Sequence, residues 1–134
     1  MKFILVSHGS FAKGLVESSQ MIAGQQENLV SFGLYPEDDI NDLKNKIETE
    51  FLKSEMDNIV FFTDLFHGSP FNAVVSLMGK YDIYHITGMN LPLILEALMA
   101  RMNEDITPAE LCKSLLANAN NTIIDVKECL KEAN

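Results

Sequence analysis

Cysteine is scarce in this chain: Cys112 and Cys129 are the only two, with no histidine or further cysteine at zinc-ligand spacing around them. That excludes a disulfide framework and gives a metal centre no support, so both thiols are read as reduced and structural, as in a cytoplasmic protein. Positive charge is scarce too. Ten lysines and arginines against nineteen acids leave a formal net charge of -9, and the basic residues are scattered rather than set in the stripe that a phosphate backbone requires. Nucleic acid is therefore excluded as a partner, and an acidic surface likewise repels anionic lipid headgroups. No apolar run approaches the ~20 residues of a membrane helix. The opening "FILV" after Met1-Lys2 is too short for the core of a signal peptide, so the chain is expected in the cytoplasm. Repeats, Ser/Pro linkers and low-complexity tracts are missing as well. What remains, 134 residues that are 47% hydrophobic and 22% charged, fits one domain over 1–134 held together by burial.

Five short runs carry strand-forming residues: "FILV" at 3–6, "LVSF" at 29–32, "IVFFT" at 59–63, "IYHIT" at 83–87 and "TIIDV" at 122–126. The first and third are continuously apolar, as central parallel strands covered on both faces should be. Between the runs the pattern changes to helical spacing. Ile40, Leu43, Ile47 and Phe51 share one face, after Pro36 and the capping acids Asp38 and Asp39. A helix over 10–23 places Phe11, Leu15 and Ile22 inward and stops at Gly24. Three more begin with proline in the first turn, at Ser69-Pro70, Leu91-Pro92 and Thr107-Pro108; Glu110 completes a capping box with Thr107. Strand and helix alternate through four units, which predicts a three-layer α/β/α fold around a mainly parallel sheet, with "TIIDV" as a late additional strand.

In such sheets ligands bind beyond the carboxyl ends of the strands, where the winding direction reverses. With strand order 2-1-3-4 the first and third strands are neighbours, so Ser7-His8-Gly9 faces Asp64-Leu65-Phe66-His67-Gly68-Ser69-Pro70. A carboxylate at Asp64 that accepts from one nitrogen of His8 fixes the tautomer and leaves the other nitrogen's lone pair free, making His8 a nucleophile or a base. Beside the pair, Gly68 and a capping Ser69 open a helix whose amides and dipole form an anion site suited to a phosphoryl group. His67 stands just before it, as a solvated loop residue or as a second donor to phosphate. Asn90 either orients a partner or ligand or contributes to the turn that starts a helix. His85, inside a strand, is read as structural.

Taken together, "ILVSHGSFAKGL", "VFFTDLFHGSPFNA" and "ITGMNLPLILEAL" resemble the enzyme IIA component of the mannose/fructose/sorbose family of sugar phosphotransferase systems, in order and across the whole chain. The resemblance implies that His8 takes a phosphoryl group from the histidine phosphocarrier protein and passes it to a IIB component. It also implies that Asp64 orients His8, that Ser69 with the helix-start amides cradles the phosphoryl group, and that neither metal nor cofactor is needed. The IIC and IID membrane components are then indirect partners that choose the sugar. Many relatives have glycine where this chain has His67. The family fold ends in an antiparallel strand exchanged within a homodimer, for which "NNTIIDVK" is the candidate, an unpaired edge strand being open to pairing with another chain.

Two other readings use the same residues. His8, Asp64 and Ser69 have the composition of a hydrolytic triad, although Ser69 precedes proline and lacks the G-x-S-x-G elbow. The phosphotransfer subunit of dihydroxyacetone kinase shares the fold and the histidine chemistry. A receiver domain is disfavoured, because no acidic pair follows the first strand to hold its metal.

Overall fold

The computed structural model describes residues 1–133. Its strands are β1 (Lys2–His8), β2 (Leu29–Leu34), β3 (Ile59–Thr63) and β4 (Tyr84–Thr87). All pair in parallel, in the order β2-β1-β3-β4. The helices are α1 (Phe11–Ala23), α2 (Ile40–Leu52), α3 (Ser69–Met78), α4 (Leu91–Ala100), α5 (Pro108–Asn118) and α6 (Val126–Glu132), with a 3-10 turn at Ala119–Thr122.

The continuous apolar runs of β1 and β3 are buried because both faces of the sheet are covered. Phe3 and Leu5 of β1 and Phe62 of β3 pack under α1, α4 and α5, against Leu15, Leu93, Ile94 and Leu111. Ile4, Val6 and Phe61 face the other way, toward Leu43, Ile47 and Phe51 of α2 and Val74 and Leu77 of α3. Successive strand residues alternate faces, so a run with no polar member needs two helical layers. Phe3 and Phe62 meet edge to face at 5.3 Å, and burial of each large side chain contributes about 1.5–3 kcal/mol.

Helix starts follow the local signals. Asp39 accepts from the Asn41 amide, Thr107 and Glu110 close the capping box, and Asn90 accepts from the Leu93 amide, each cap contributing ~1 kcal/mol. Gly24 ends α1 at φ 86°, where a side chain would be strained. Within α1 the inward face differs from expectation: Ala12, Leu15 and Ser19 are buried, while Phe11 and Ile22 are exposed. The close approach of α1 to β2 and α4 favours the smaller side chains.

The expected fifth strand is absent among the described residues. Thr122 closes the 3-10 turn by donating to the Ala119 carbonyl, and Asp125 caps α6 by accepting from the Glu128 amide. "VKECLKE" then continues as helix. A strand here needs an edge to pair with, whereas a capped stretch rich in lysine, glutamate and leucine satisfies its own backbone groups.

Candidate active site

Parallel pairing of β1 with β3, Val6 opposite Thr63, brings the two carboxyl ends side by side and sets His8 against Asp64. One carboxylate oxygen, Asp64 Oδ2, accepts two bonds from His8: from ring Nδ1 at 2.7 Å and from the backbone N–H at 3.0 Å. A carboxylate only accepts, so Nδ1 carries the proton and Nε2 holds the free lone pair. The other oxygen, Oδ1, is buried without a hydrogen-bond partner among the described residues, so Asp64 directs its whole polar function at His8. The imidazole itself is 49% exposed. It stands on open surface, well away from the hollow of about 450 Å³ lined by Met1, Lys2, Asn28 and Lys53 at the opposite ends of the strands.

Gly68 lies against the far side of the ring. A Cβ there would come within 2.8 Å of His8 Cε1 and 3.5 Å of Nε2, so only hydrogen fits between the imidazole and the start of α3. Gly68, not Ser69, is the residue before the helix, and Ser69 is its first residue with no side-chain capping bond. The first-turn amides of a helix have no partner within it; in α3 these are the amides of Ser69 and Phe71, because Pro70 has no N–H and the Gly68 amide bonds the Leu65 carbonyl, and they share that end with the positive pole of the dipole. Ser69 makes no hydrogen bond to His8 among the described residues, so the nucleophile-to-base contact of a hydrolytic triad is missing.

The loops are held by residues that the motif reading named without giving them a role. Ser7, fully buried, accepts from the Ala12 amide at 2.7 Å and donates to the His8 carbonyl at 3.0 Å. It does for α1 what Ser10 does not. The signal was a lone serine ending an apolar strand. Gly9 turns at φ 51° and donates to the Leu34 carbonyl at 2.7 Å. After β3 a turn closes from the Gly68 amide to the Leu65 carbonyl, with His67 in the left-handed region at φ 65°. Glycine takes that conformation without strain. The His67 ring packs on Phe66 at 3.8 Å and on Phe71 at 5.5 Å, and makes no hydrogen bond to His8 among the described residues. Asn90 caps α4 and donates to Thr122 Oγ1 at 3.2 Å.

His85 is half-buried in β4, its Nε2 2.7 Å from Thr63 Oγ1, and burial pushes its pKa down to about 4. An unfolded histidine titrates near 6.5, so between these values the unfolded chain binds the extra proton. Stability present above pH ~6.5 is therefore lost as pH falls toward ~4, by on the order of 3 kcal/mol. Urea unfolding at several pH values should show this slope, and His85→Gln should flatten it.

Similarity to known proteins bears on identity. The chain is 31% identical over 132 residues to the PTS system fructose-specific EIIA component of Bacillus subtilis, covering 96% of this chain and 88% of that protein. It is 31% identical over 100 residues to the PTS system mannose-specific EIIAB component of Escherichia coli, covering 73% of this chain but 31% of that longer protein. The crystal structure of phosphotransferase system component EIIA from Streptococcus agalactiae superposes with a TM-score of 0.87 at 29% identity, covering 96% of this chain and 98% of that one. The family model EIIA-man, the PTS system fructose IIA component, matches residues 2–113. With its parallel 2-1-3-4 sheet and this match over most of its length, the chain belongs to the mannose/fructose/sorbose family of IIA components, phosphotransferases of the sugar phosphotransferase system.

Proposed function

We propose that this chain is a phosphohistidine relay, a single IIA-type phosphotransfer domain over 1–134 that takes a phosphoryl group from the histidine phosphocarrier protein and hands it to a IIB component. The observation that carries this reading is the placement of His8, with Nδ1 bonded to Asp64 and Nε2 beside Gly68 at the start of α3. In the forward step the Nε2 lone pair attacks phosphorus; a P–N bond forms to His8 as the donor's P–N bond breaks, and the proton on Nδ1 stays in place. Such transfers pass through a loose, in-line transition state in which positioning and charge stabilisation supply the catalysis. Asp64 balances the positive charge that develops on the ring, while the α3 amides and the Ser69 hydroxyl face the equatorial oxygens. Delivery to IIB is the same kind of step in reverse: the P–N bond to His8 breaks as a bond forms to the acceptor side chain of IIB, and the Nε2 lone pair is restored.

The exposure of the ring lets two proteins reach it in turn. Phe11, Leu65 and Phe66 are exposed in the segments that flank it, and we assign them, with His67 and the Asn90 loop, to the contact face for both partners. The IIC and IID membrane components are reached only through IIB. No helix is long and apolar enough to cross a membrane among the described residues, and the relay is assigned to the cytoplasm, where its donor would be found. Exposed Ile123, Ile124 and Val126 support assembly as a homodimer.

The test is incubation with phosphoenolpyruvate, enzyme I and the phosphocarrier, followed by intact-mass spectrometry and then addition of a IIB component. One acid-labile phosphate that IIB discharges is expected; a wild type left unmodified by an active donor would sink the reading. Gly68→Ala, whose Cβ would press on the ring, should slow phosphorylation by about 10–100-fold while leaving the melting temperature close to wild type.

A further inference from the structure

The relay as described uses Asp64 and the first turn of α3, and both are supported from one place in the structure. Thr63, the last residue of β3, is fully buried and immediately precedes Asp64. Its hydroxyl bonds His85 Nε2 at 2.7 Å and Thr87 Oγ1 at 2.9 Å. Its carbonyl accepts from the amides of Gly88 and Met89 at 3.0 and 3.1 Å. The chain therefore enters the Asp64 loop from a residue whose hydroxyl and carbonyl are both held by β4 and the turn that follows it. His85 reaches the second element as well. Its ring lies 5.2 Å from that of Phe71, at 40°; Phe71 belongs to the first turn of α3, and its edge meets Phe66 and His67. A single side chain from the edge strand β4 thus touches what fixes the carboxylate and what fixes the anion-facing helix start.

We infer that His85 is a positioning residue of the transfer reaction, acting through Thr63 on Asp64 and through Phe71 on the start of α3. The inference rests on the phosphohistidine reading above. The imidazole suits the task because it combines an apolar face for Phe71 with an in-plane nitrogen for Thr63. Burial keeps it neutral at physiological pH, so it adds no charge that would compete with Asp64 for His8. An aliphatic residue in the same place would keep the packing and release the Thr63 hydroxyl.

Three variants separate positioning from mere packing. His85→Leu preserves bulk without the bond, His85→Gln places an amide group near the position of Nε2, and Thr63→Val removes the hydroxyl at constant shape. The readouts are kcat and KM for the phosphocarrier donor, together with the NMR signal of the His8 Nδ1–H proton held by Asp64. His85→Leu and Thr63→Val should each lower kcat about tenfold, since displacement of a reacting group by about 1 Å can cost up to 10²-fold. KM should stay within about twofold, the Nδ1–H signal should shift or broaden, and His85→Gln should recover most of the rate. Folded His85→Leu and Thr63→Val with wild-type kcat and an unchanged Nδ1–H signal would overturn the inference while leaving the relay standing. A rate loss that glutamine does not restore, with that signal unmoved, would also overturn it, reducing His85 to packing. If His85→Leu does not fold, the Thr63→Val and His85→Gln pair decides alone. A wild type that takes no phosphate would remove the relay reading itself, and this inference with it.

Discussion

His8→Ala is expected to take up no phosphate at all from phosphoenolpyruvate, enzyme I and the phosphocarrier, under conditions in which the wild type gains one acid-labile group. The loss should be complete because the acceptor atom is removed, and no other described side chain combines a free imidazole lone pair with a helix start and a paired carboxylate. The fold should survive. The ring is half exposed, its one hydrogen bond is to Asp64, and the His8 backbone amide keeps its own bond to the same oxygen. Loss of a partly exposed charge-assisted bond costs about 1 kcal/mol, so circular dichroism and the melting transition should stay near wild type. Intact-mass spectrometry on an alkaline-quenched sample makes the comparison. A phosphate retained by the folded variant would place the acceptor elsewhere, with Ser69 and His67 the first to examine, and the assignment of His8 would fall.

Asp64→Asn should slow single-turnover phosphorylation by up to about 10⁴-fold, the loss known for a carboxylate that sets a histidine tautomer when it is replaced by its amide. The argument is geometric. Oδ2 accepts from both the ring and the backbone of His8, and an asparagine that offers its oxygen to the backbone amide can turn its NH₂ toward Nδ1. That nitrogen must then be the acceptor, which moves the proton to Nε2 and blocks the lone pair that attacks phosphorus. The amide also removes the charge that balances the phosphorylated ring. Asp64→Ala loses the charge without enforcing the wrong tautomer, so it should retain more activity than Asp64→Asn if tautomer control dominates. Rapid-quench rates for the two variants, with ¹⁵N NMR of the His8 ring, decide the point. Asn and wild type transferring at equal rates would show that Asp64 is not what prepares His8.

The parts of this protein that were legible in the sequence are those decided locally. Pro70, Pro92 and Pro108 mark the first turns of α3, α4 and α5 because proline lacks the amide hydrogen that an interior position needs. The unbroken apolar runs of β1 and β3 announced strands covered on both faces. Order 2-1-3-4 was expected as a common arrangement for such an alternation, the sheet has it, and it is what put His8 and Asp64 together. The position of the pair could be read because His8 ends β1 and Asp64 directly follows β3, strands whose place in the sheet was already implied.

What was not legible depends on neighbours distant in the chain. Phe11 and Ile22 fit a helical stripe by spacing, yet the space beneath α1 accepts Ala12 and Ser19 instead. Gly68 was placed in the anion site, but its distance from Nε2, and hence the reason that no larger residue fits, emerges only when β1 and β3 are side by side. Thr63 reads as an ordinary strand residue, and Ser7 as one just past a strand end, until their hydroxyls find His85 and Ala12. The C-terminal "TIIDV" shows the same limit from the other side: β-branched composition indicated a strand, and the cap at Asp125 with helix-forming residues after it prevailed. By itself the sequence determined the alternation of elements, their capped ends and the pairing of His8 with Asp64, since those rest on propensity, missing donors and motif order. Only the tertiary structure decided which nitrogen of His8 is free, what limits Gly68 and which side chains hold Asp64 in place, because those depend on contacts between segments that spacing along the chain does not encode.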